Sequence, residues 1–240
     1  SSDVCSSDLF EAENFALNQY GKPKVNSLKN IRIAIENDNI LKNQFVFNSF
    51  TQEIEIRTPF KLRGVEIEND GLKEVYITAI LEHFEEKYDV LFDSRLLVNV
   101  INKIAYENKY NPVQDFMEDC YKNWDKVKRA RSLFPDYLGA KESDLTERMT
   151  KLFFVGAVSK VYRPHDKFDF VLDLVGGQGS GKTTFLTKMG QGWYTDSMKN
   201  FDDKDQLVMM LRALIVNDDE MAISNKIPFA DLKKFITQTV

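Results

Sequence analysis

Two cysteines and two histidines in 240 residues leave too little for a disulfide framework or a metal cage. Cys5 and Cys120 stand far apart, and neither His83 nor His165 has a Cys or His at ligand spacing. A reducing, cytoplasmic setting is therefore expected, with ordinary structural roles for all four. No run approaches the ~18–20 consecutive apolar residues of a membrane-spanning helix, and no charged-then-apolar leader opens the sequence. A membrane partner is not expected. Net charge is −5, which argues mildly against a nucleic-acid protein, but the acid excess lies before Lys151 and the remainder is nearly balanced. Local fields matter more than totals, so composition leaves the partner open.

Periodicity divides what remains. Ser1–Leu9 is a near-duplicated, low-complexity stretch without an apolar face, expected to be a disordered or non-native leader. Residues 10–68 read as a small α+β region. Ser27 caps a helix carrying Leu28, Ile31 and Ile35, and Gln44–Phe47 and Glu53–Arg57 form a strand pair, with Pro59 and Gly64 punctuating the rest. Residues 69–163 read as a helical domain. Its stripes are Ile77, Ile80, Leu81, Phe84 and Tyr88, then Leu97, Val100, Ile101, Ile104 and Ala105 behind a Ser94 cap. Next, Val113, Phe116, Cys120 and Trp124 follow an Asn111-Pro112 start, and a last helix opens at Asp144 with Glu147 and ends at Pro164. These stripes are expected to be packing core.

From 164 to 240 the pattern becomes β-loop-α. Phe170–Val175 reads as a short buried strand, Lys182–Met189 as a helix ended by Gly190, Phe201–Leu211 as a second helix and Ala213–Asn217 as a second strand. The short Trp193-Tyr194-Thr195 segment is at best a further strand. Strands alternating with helices predict a mainly parallel sheet.

Eleven glycines serve the whole chain, and four of them sit in Gly176-Gly177-Gln178-Gly179-Ser180-Gly181-Lys182-Thr183. This is G-x-x-x-x-G-K-[ST] at every fixed position, between an expected strand and an expected helix. Glycines let successive backbone N–H groups turn toward an anion, and the helix N-terminus adds its positive end. Lys182 would reach the β- and γ-phosphates, the Thr183 hydroxyl would ligate Mg²⁺, and Thr184 lies next to it among the phosphate-binding residues. A Mg²⁺–ATP site also needs acids after a neighbouring strand, and Asp218-Asp219-Glu220 supply them. Asp219 is assigned to the Mg²⁺ shell, with Asp218 as its alternative, and Glu220 to polarising the attacking water. Asn225-Lys226 begins like a guanine-reading motif, but Pro228 stands where the carboxylate is needed, so ATP is favoured.

Lys122, Lys126, Lys128, Arg129 and Arg131 surround Tyr121 and Trp124. Two readings stand for them: a basic, aromatic set for single-stranded nucleic acid, or a solvated helix face around a buried tryptophan.

The order of motifs resembles the virulence-associated protein E family of phage and mobile-element P-loop ATPases, which are related to superfamily 3 helicases and primase-helicases. The resemblance rests on Asn111-Pro112-Val113-Gln114-Asp115-Phe116-Met117, Trp124-Asp125-Lys126-Val127-Lys128-Arg129, Gly156-Ala157-Val158-Ser159-Lys160, Lys167-Phe168-Asp169, the glycine loop, and Asn217-Asp218-Asp219-Glu220-Met221. It covers most of the chain after about Ser27. Lys126 and Lys128 replace the family's Gly and Pro, which suggests a helical turn there, and Asn217 replaces the first glutamate of E-x-x-E-L. The resemblance implies an α/β P-loop ATPase core of AAA+-like type, preceded by a mostly helical domain. It also implies ring-forming homo-oligomers and ATP-driven work on single-stranded or forked DNA. The alternative is a nucleotide-gated assembly module that unwinds nothing. The family continues into a D-x-Y-R motif and more sheet, so this chain is expected to carry an incomplete, poorly active ATPase domain.

Overall fold

A computed structural model describes residues 14–200 and 203–237; the expected leader, Ser1–Leu9, lies outside them. The fold mixes helices with small sheets and divides into two compact units, the first ending at Asn111 and the second beginning at Pro112. That boundary differs from the expected divisions at 68/69 and 163/164. The reason is a shared core: side chains from Ile31 to Ala105 form one apolar cluster, so the α+β region and the first two helical stripes cannot be separated.

In the first unit, α1 (Leu28–Asn37) starts where the Ser27 hydroxyl accepts the Asn30 N–H at 3.3 Å. β1 (Phe45–Asn48) pairs antiparallel with β2 (Glu53–Ile56), Phe45 opposite Ile56. The Asn48 side chain accepts from the Phe50 and Thr51 N–H groups and so shapes the connection. A second hairpin, β3 (Phe60–Leu62) with β4 (Val65–Ile67), was not foreseen. Its two-residue loop, Arg63-Gly64, has positive φ at both positions, which matches strand twist. α2 (Glu74–Tyr88) and α3 (Ser94–Glu107) cover these strands. The α3 cap is Asp93, whose carboxylate accepts from Arg95 and Leu96, and not Ser94. β5 (Lys109–Tyr110) then joins the far edge of β1 in parallel. Ile31, Ile35, Phe45, Ile56, Ile80, Phe84, Leu97 and Ile101 are all nearly solvent-free.

Asp38, at the end of α1, is the buried charge among the described residues of this unit. Burial alone would raise its pKa, yet the His83 imidazole at 2.7 Å and the Ile40 and Leu41 N–H groups hold it down to about 2. Lys87 donates to the same oxygen at 3.2 Å. Because the folded value lies below the ordinary 3.8, the stabilisation is full above pH 4 and fades as pH falls through about 2. It amounts to about 2 kcal/mol. Asp38→Asn is expected to lower the urea midpoint at pH 7 and to flatten its decline between pH 4 and 2. An unchanged midpoint at pH 7 would sink this account.

The second unit contains α4 (Pro112–Lys122), α5 (Leu133–Leu138), α6 (Asp144–Tyr162), α7 (Lys182–Gly190), β6 (Tyr194–Thr195), α8 (Lys204–Leu211), β7 (Ile215–Val216) and α9 (Phe229–Thr237). α4 stops at Lys122, so Trp124 lies beyond the helix its spacing suggested. α5 ends on Gly139 in the left-handed region. The cap of α6 is Ser143, whose hydroxyl accepts from Thr146, in place of the expected Asp144–Glu147 box. α8 begins at Lys204 behind an Asp203 cap, and Phe201 lies outside the described residues.

The parallel sheet is smaller than expected. β6 pairs with β7, Tyr194 opposite Ile215 and Thr195 opposite Val216. The second strand spans two residues of the expected Ala213–Asn217. Phe170–Val175 is not a strand among the described residues: Leu172 and Leu174 pack toward Phe134, Phe185, Leu186 and Ile215, while Val171 and Val175 are exposed. An apolar run becomes a buried strand only with neighbours on both edges and cover on both faces. Among the described residues no helix is long and apolar enough to cross a membrane.

Candidate functional site

The glycine loop leads into α7. Gly179 and Gly181 have φ of 77° and 83°, a region that costs any side chain with a Cβ. Gly176 and Gly177 stay outside it. Gly181 caps α7 without a side-chain acceptor, so the first-turn N–H groups lack the partner that Ser or Asp would give. Residues 175–181 are all exposed. Lys182, the first helical residue, folds back over the loop: its ammonium donates to Gly176 O at 2.9 Å, Gly177 O at 3.1 Å and Ser180 Oγ at 3.2 Å. Gln178 belongs to the same exposed turn, and Thr184 sits exposed in the first turn of α7.

The acids after β7 divide sharply. Asp218 accepts from the Ile223 N–H, the Ser224 N–H and the Ser224 hydroxyl, at 2.9, 2.9 and 2.5 Å. Burial opposes ionisation, but these donors hold its carboxyl below the usual range. Asp218 thereby closes the turn that follows. Asp219 points elsewhere: its Oδ1 lies 3.4 Å from the Thr183 hydroxyl, 36 residues earlier. Among the described residues no hydrogen bond reaches its other oxygen. Glu220 is exposed and occupies a left-handed backbone position, φ 56° and ψ 20°, inside the short 3₁₀ turn Asp219–Met221.

Two further side chains connect to this pair. Asn217 Nδ2 reaches Asp219 Oδ1 at 3.4 Å and the Tyr194 hydroxyl at 3.1 Å. The Tyr194 hydroxyl in turn donates to Asp196 at 3.3 Å. Burial pushes the phenol up, so it stays a donor. A chain of contacts thus runs Thr183, Asp219, Asn217, Tyr194, Asp196, and β6 beside β7 sets its spacing. The departure at Asn217 was visible in the sequence; its partner on another strand was not.

Two motif residues brace the same elements. Lys160, near the end of α6, donates to Met210 O at 3.0 Å and Ala213 O at 2.6 Å. Burial pulls its ammonium down to about 8. The cation meets one carbonyl in the last turn of α8 and one just beyond it, which suits the negative end of the helix and fixes the chain entering β7. Gly156, four residues earlier, faces the Phe168 ring, and a Cβ there would lie 2.3 Å from it. Gly156→Ala must displace Phe168 and with it the Lys167-Phe168-Asp169 segment leading to the loop. Overpacking costs about 1–3 kcal/mol, and alanine inside the helix returns about 1, so a net loss of up to about 2 kcal/mol is expected. A thermal midpoint equal to that of the unsubstituted protein would show that Phe168 yields freely.

The basic, aromatic cluster is only partly assembled. Trp124 is not buried but 39% exposed, and Tyr121 is 70% exposed. Arg129 is tied to Asp125 by two bonds at 2.9 and 2.5 Å, and Arg131 pairs with Glu142, Asp144 and Glu147. Lys122 lies 3.5 Å from Asp119, and Lys128 is exposed. Residues 124–129 form a turn, contrary to the helical expectation, and Lys126 holds φ 66° within it. Lys126 thus takes a backbone that glycine would adopt without strain, at a cost of about 1 kcal/mol for lysine. His83 has the structural role expected, while His165 is exposed.

A family model for the virulence-associated protein E-like domain matches residues 117–240. The chain belongs to the virulence-associated protein E family. The match takes in the second unit from within α4 onward, including the Trp124 turn, Gly156, Lys160, the glycine loop and the three acids. Residues before Met117 lie outside it, so it is narrower than the resemblance drawn from Ser27 onward. No curated protein matches the chain.

Proposed function

We propose that this virulence-associated protein E family member is a P-loop ATPase that binds Mg²⁺–ATP and works on single-stranded or forked DNA as a homo-oligomer, in replication of a phage or mobile element. The observation that carries the nucleotide half is the approach of Thr183 to Asp219, a hydroxyl and a carboxylate brought to 3.4 Å across the fold. Oxygen donors of this kind suit a hard cation that keeps several waters and takes further oxygens from phosphate.

In this reading Thr183 and Asp219 would hold Mg²⁺, and the ion would neutralise charge developing between the β- and γ-phosphates. Gly176, Gly177, Gln178, Gly179, Ser180, Gly181 and Thr184 surround the phosphates, and Lys182 exchanges its loop carbonyls for phosphate oxygens. Glu220 orients and polarises water. Asp218 is left to the fold.

The test is ATP turnover by the purified protein with and without a forked oligonucleotide, in Mg²⁺ and in EDTA. Mg²⁺-dependent turnover raised several-fold by DNA supports both halves. Turnover indifferent to DNA would favour a nucleotide-gated assembly module, and absence of Mg²⁺-dependent ATP binding would remove the proposal.

A further inference from the structure

The turn after α4 is built around a contact that no packing need explains. Tyr121 is largely exposed and Trp124 partly so, their ring centroids 6.5 Å apart and their planes differing by 32°. The Lys126 ammonium lies against both, 5.0 Å from the tyrosine centroid and 4.9 Å from the tryptophan centroid. The turn holds this arrangement firmly. The indole N–H donates to Val127 O at 3.0 Å, Asp125 accepts the Val127 N–H at 3.0 Å, and Arg129 clamps Asp125. Lys126 does so from a left-handed backbone that glycine would occupy without strain. A turn needed only to end α4 would not require a lysine there, nor two rings reaching water. Strain persisting at an exposed position points to use of its side chain.

We infer that Tyr121, Trp124 and Lys126 form a platform for single-stranded DNA, the rings stacking bases and Lys126, with Lys128, holding the adjacent phosphates. Exposed aromatic faces suit bases whose own faces are free, which excludes the interior of a duplex. The cations are fewer than the sequence suggested, because Lys122, Arg129 and Arg131 are already engaged by acids. Two lysines against a single strand give a salt dependence of slope about −1.4, at roughly 0.7 per phosphate neutralised. The inference rests on the DNA half of the proposed function and is independent of the nucleotide site.

Fluorescence anisotropy with a labelled 15-mer of thymidine, titrated from 50 to 200 mM salt, tests it. Lys126→Gly is the informative variant, since glycine fits φ 66° and the fold is not put at risk. It is expected to weaken binding about fivefold and to flatten the salt slope by about 0.7, with an unchanged or raised thermal midpoint. Trp124→Ala should weaken binding about tenfold, in keeping with loss of one stacking partner. In a Trp193→Phe background Trp124 is the only tryptophan, and its emission should be quenched with the same midpoint as the anisotropy change. The corresponding duplex should bind more weakly. Equal affinity for duplex, or full binding by both variants, would overturn the platform while leaving a DNA partner standing. Failure of the unsubstituted protein to bind the 15-mer would remove both.

Discussion

Replacing Lys182 with alanine is expected to lower ATP turnover by at least ~100-fold, the scale of losing one electrostatic contact to a transferring phosphoryl group. The structure also indicates what should not change. Lys182 bonds only to atoms of its own loop, Gly176 O, Gly177 O and Ser180 Oγ, and that loop is exposed. The core beneath is made by Phe185 and Leu186, one turn further along α7, against Phe134 and Ile215. The thermal midpoint should therefore move little, and the loss belongs to the site. Lys182→Arg should recover little, because a planar fork cannot take the place of a compact ammonium between loop carbonyls and phosphate. Turnover unchanged in Lys182→Ala would mean that the glycine loop is not where ATP is used.

The helices of this fold were legible because each buries a stripe long enough for the 3.6-residue period to emerge. Ile31 and Ile35 in α1 and Leu97, Val100, Ile101 and Ile104 in α3 are buried as their spacing requires. The short strands were not. β5 is two residues whose pairing with Phe47 and Asn48 depends on a partner 61 or more residues away, which no local pattern encodes. Phe170–Val175 was misread for the converse reason. An apolar run states that burial is favourable, not that ladder partners are at hand. Trp124 continued the apolar spacing of α4 by one step, but the helix had already ended at Lys122.

The candidate site divides the same way. The loop is one unbroken run of sequence and the acids another, and the pattern alone brought out Lys182, Thr183, Asp218, Asp219 and Glu220. What distinguishes Asp218 from Asp219 is a turn: Asp218 faces Ser224, and its neighbour faces α7. The contacts of Tyr194 and Lys160 are long-range and needed coordinates. Gly156 and Lys160 stood in a quotable motif, yet only the Phe168 ring and the α8 carbonyls give those residue types a physical reason.

The three consecutive acids are expected to respond to substitution in three different ways. Asp219→Ala should abolish the Mg²⁺ dependence of nucleotide binding, since it removes the carboxylate next to the Thr183 hydroxyl and leaves the fold's hydrogen bonds nearly intact. If Glu220 polarises the attacking water as proposed, Glu220→Gln should leave Mg²⁺–ATP binding in place and lower turnover by at least ~100-fold, because it keeps shape and removes only the charge. Its left-handed backbone aims an exposed carboxylate from a strained position, and Glu220→Gly should relax that strain while losing the same activity. Asp218→Ala should instead strip three donors of their acceptor in the turn from 218 to 224, destabilising the second unit by about 2–4 kcal/mol. Its Mg²⁺ dependence should persist at temperatures where the protein stays folded. Isothermal binding with and without Mg²⁺, single-turnover hydrolysis and thermal melts on the same four proteins separate these outcomes. A Mg²⁺ defect in Asp218→Ala, with Asp219→Ala and Glu220→Gln silent, would move the ion to the other face of the turn and overturn the assignment.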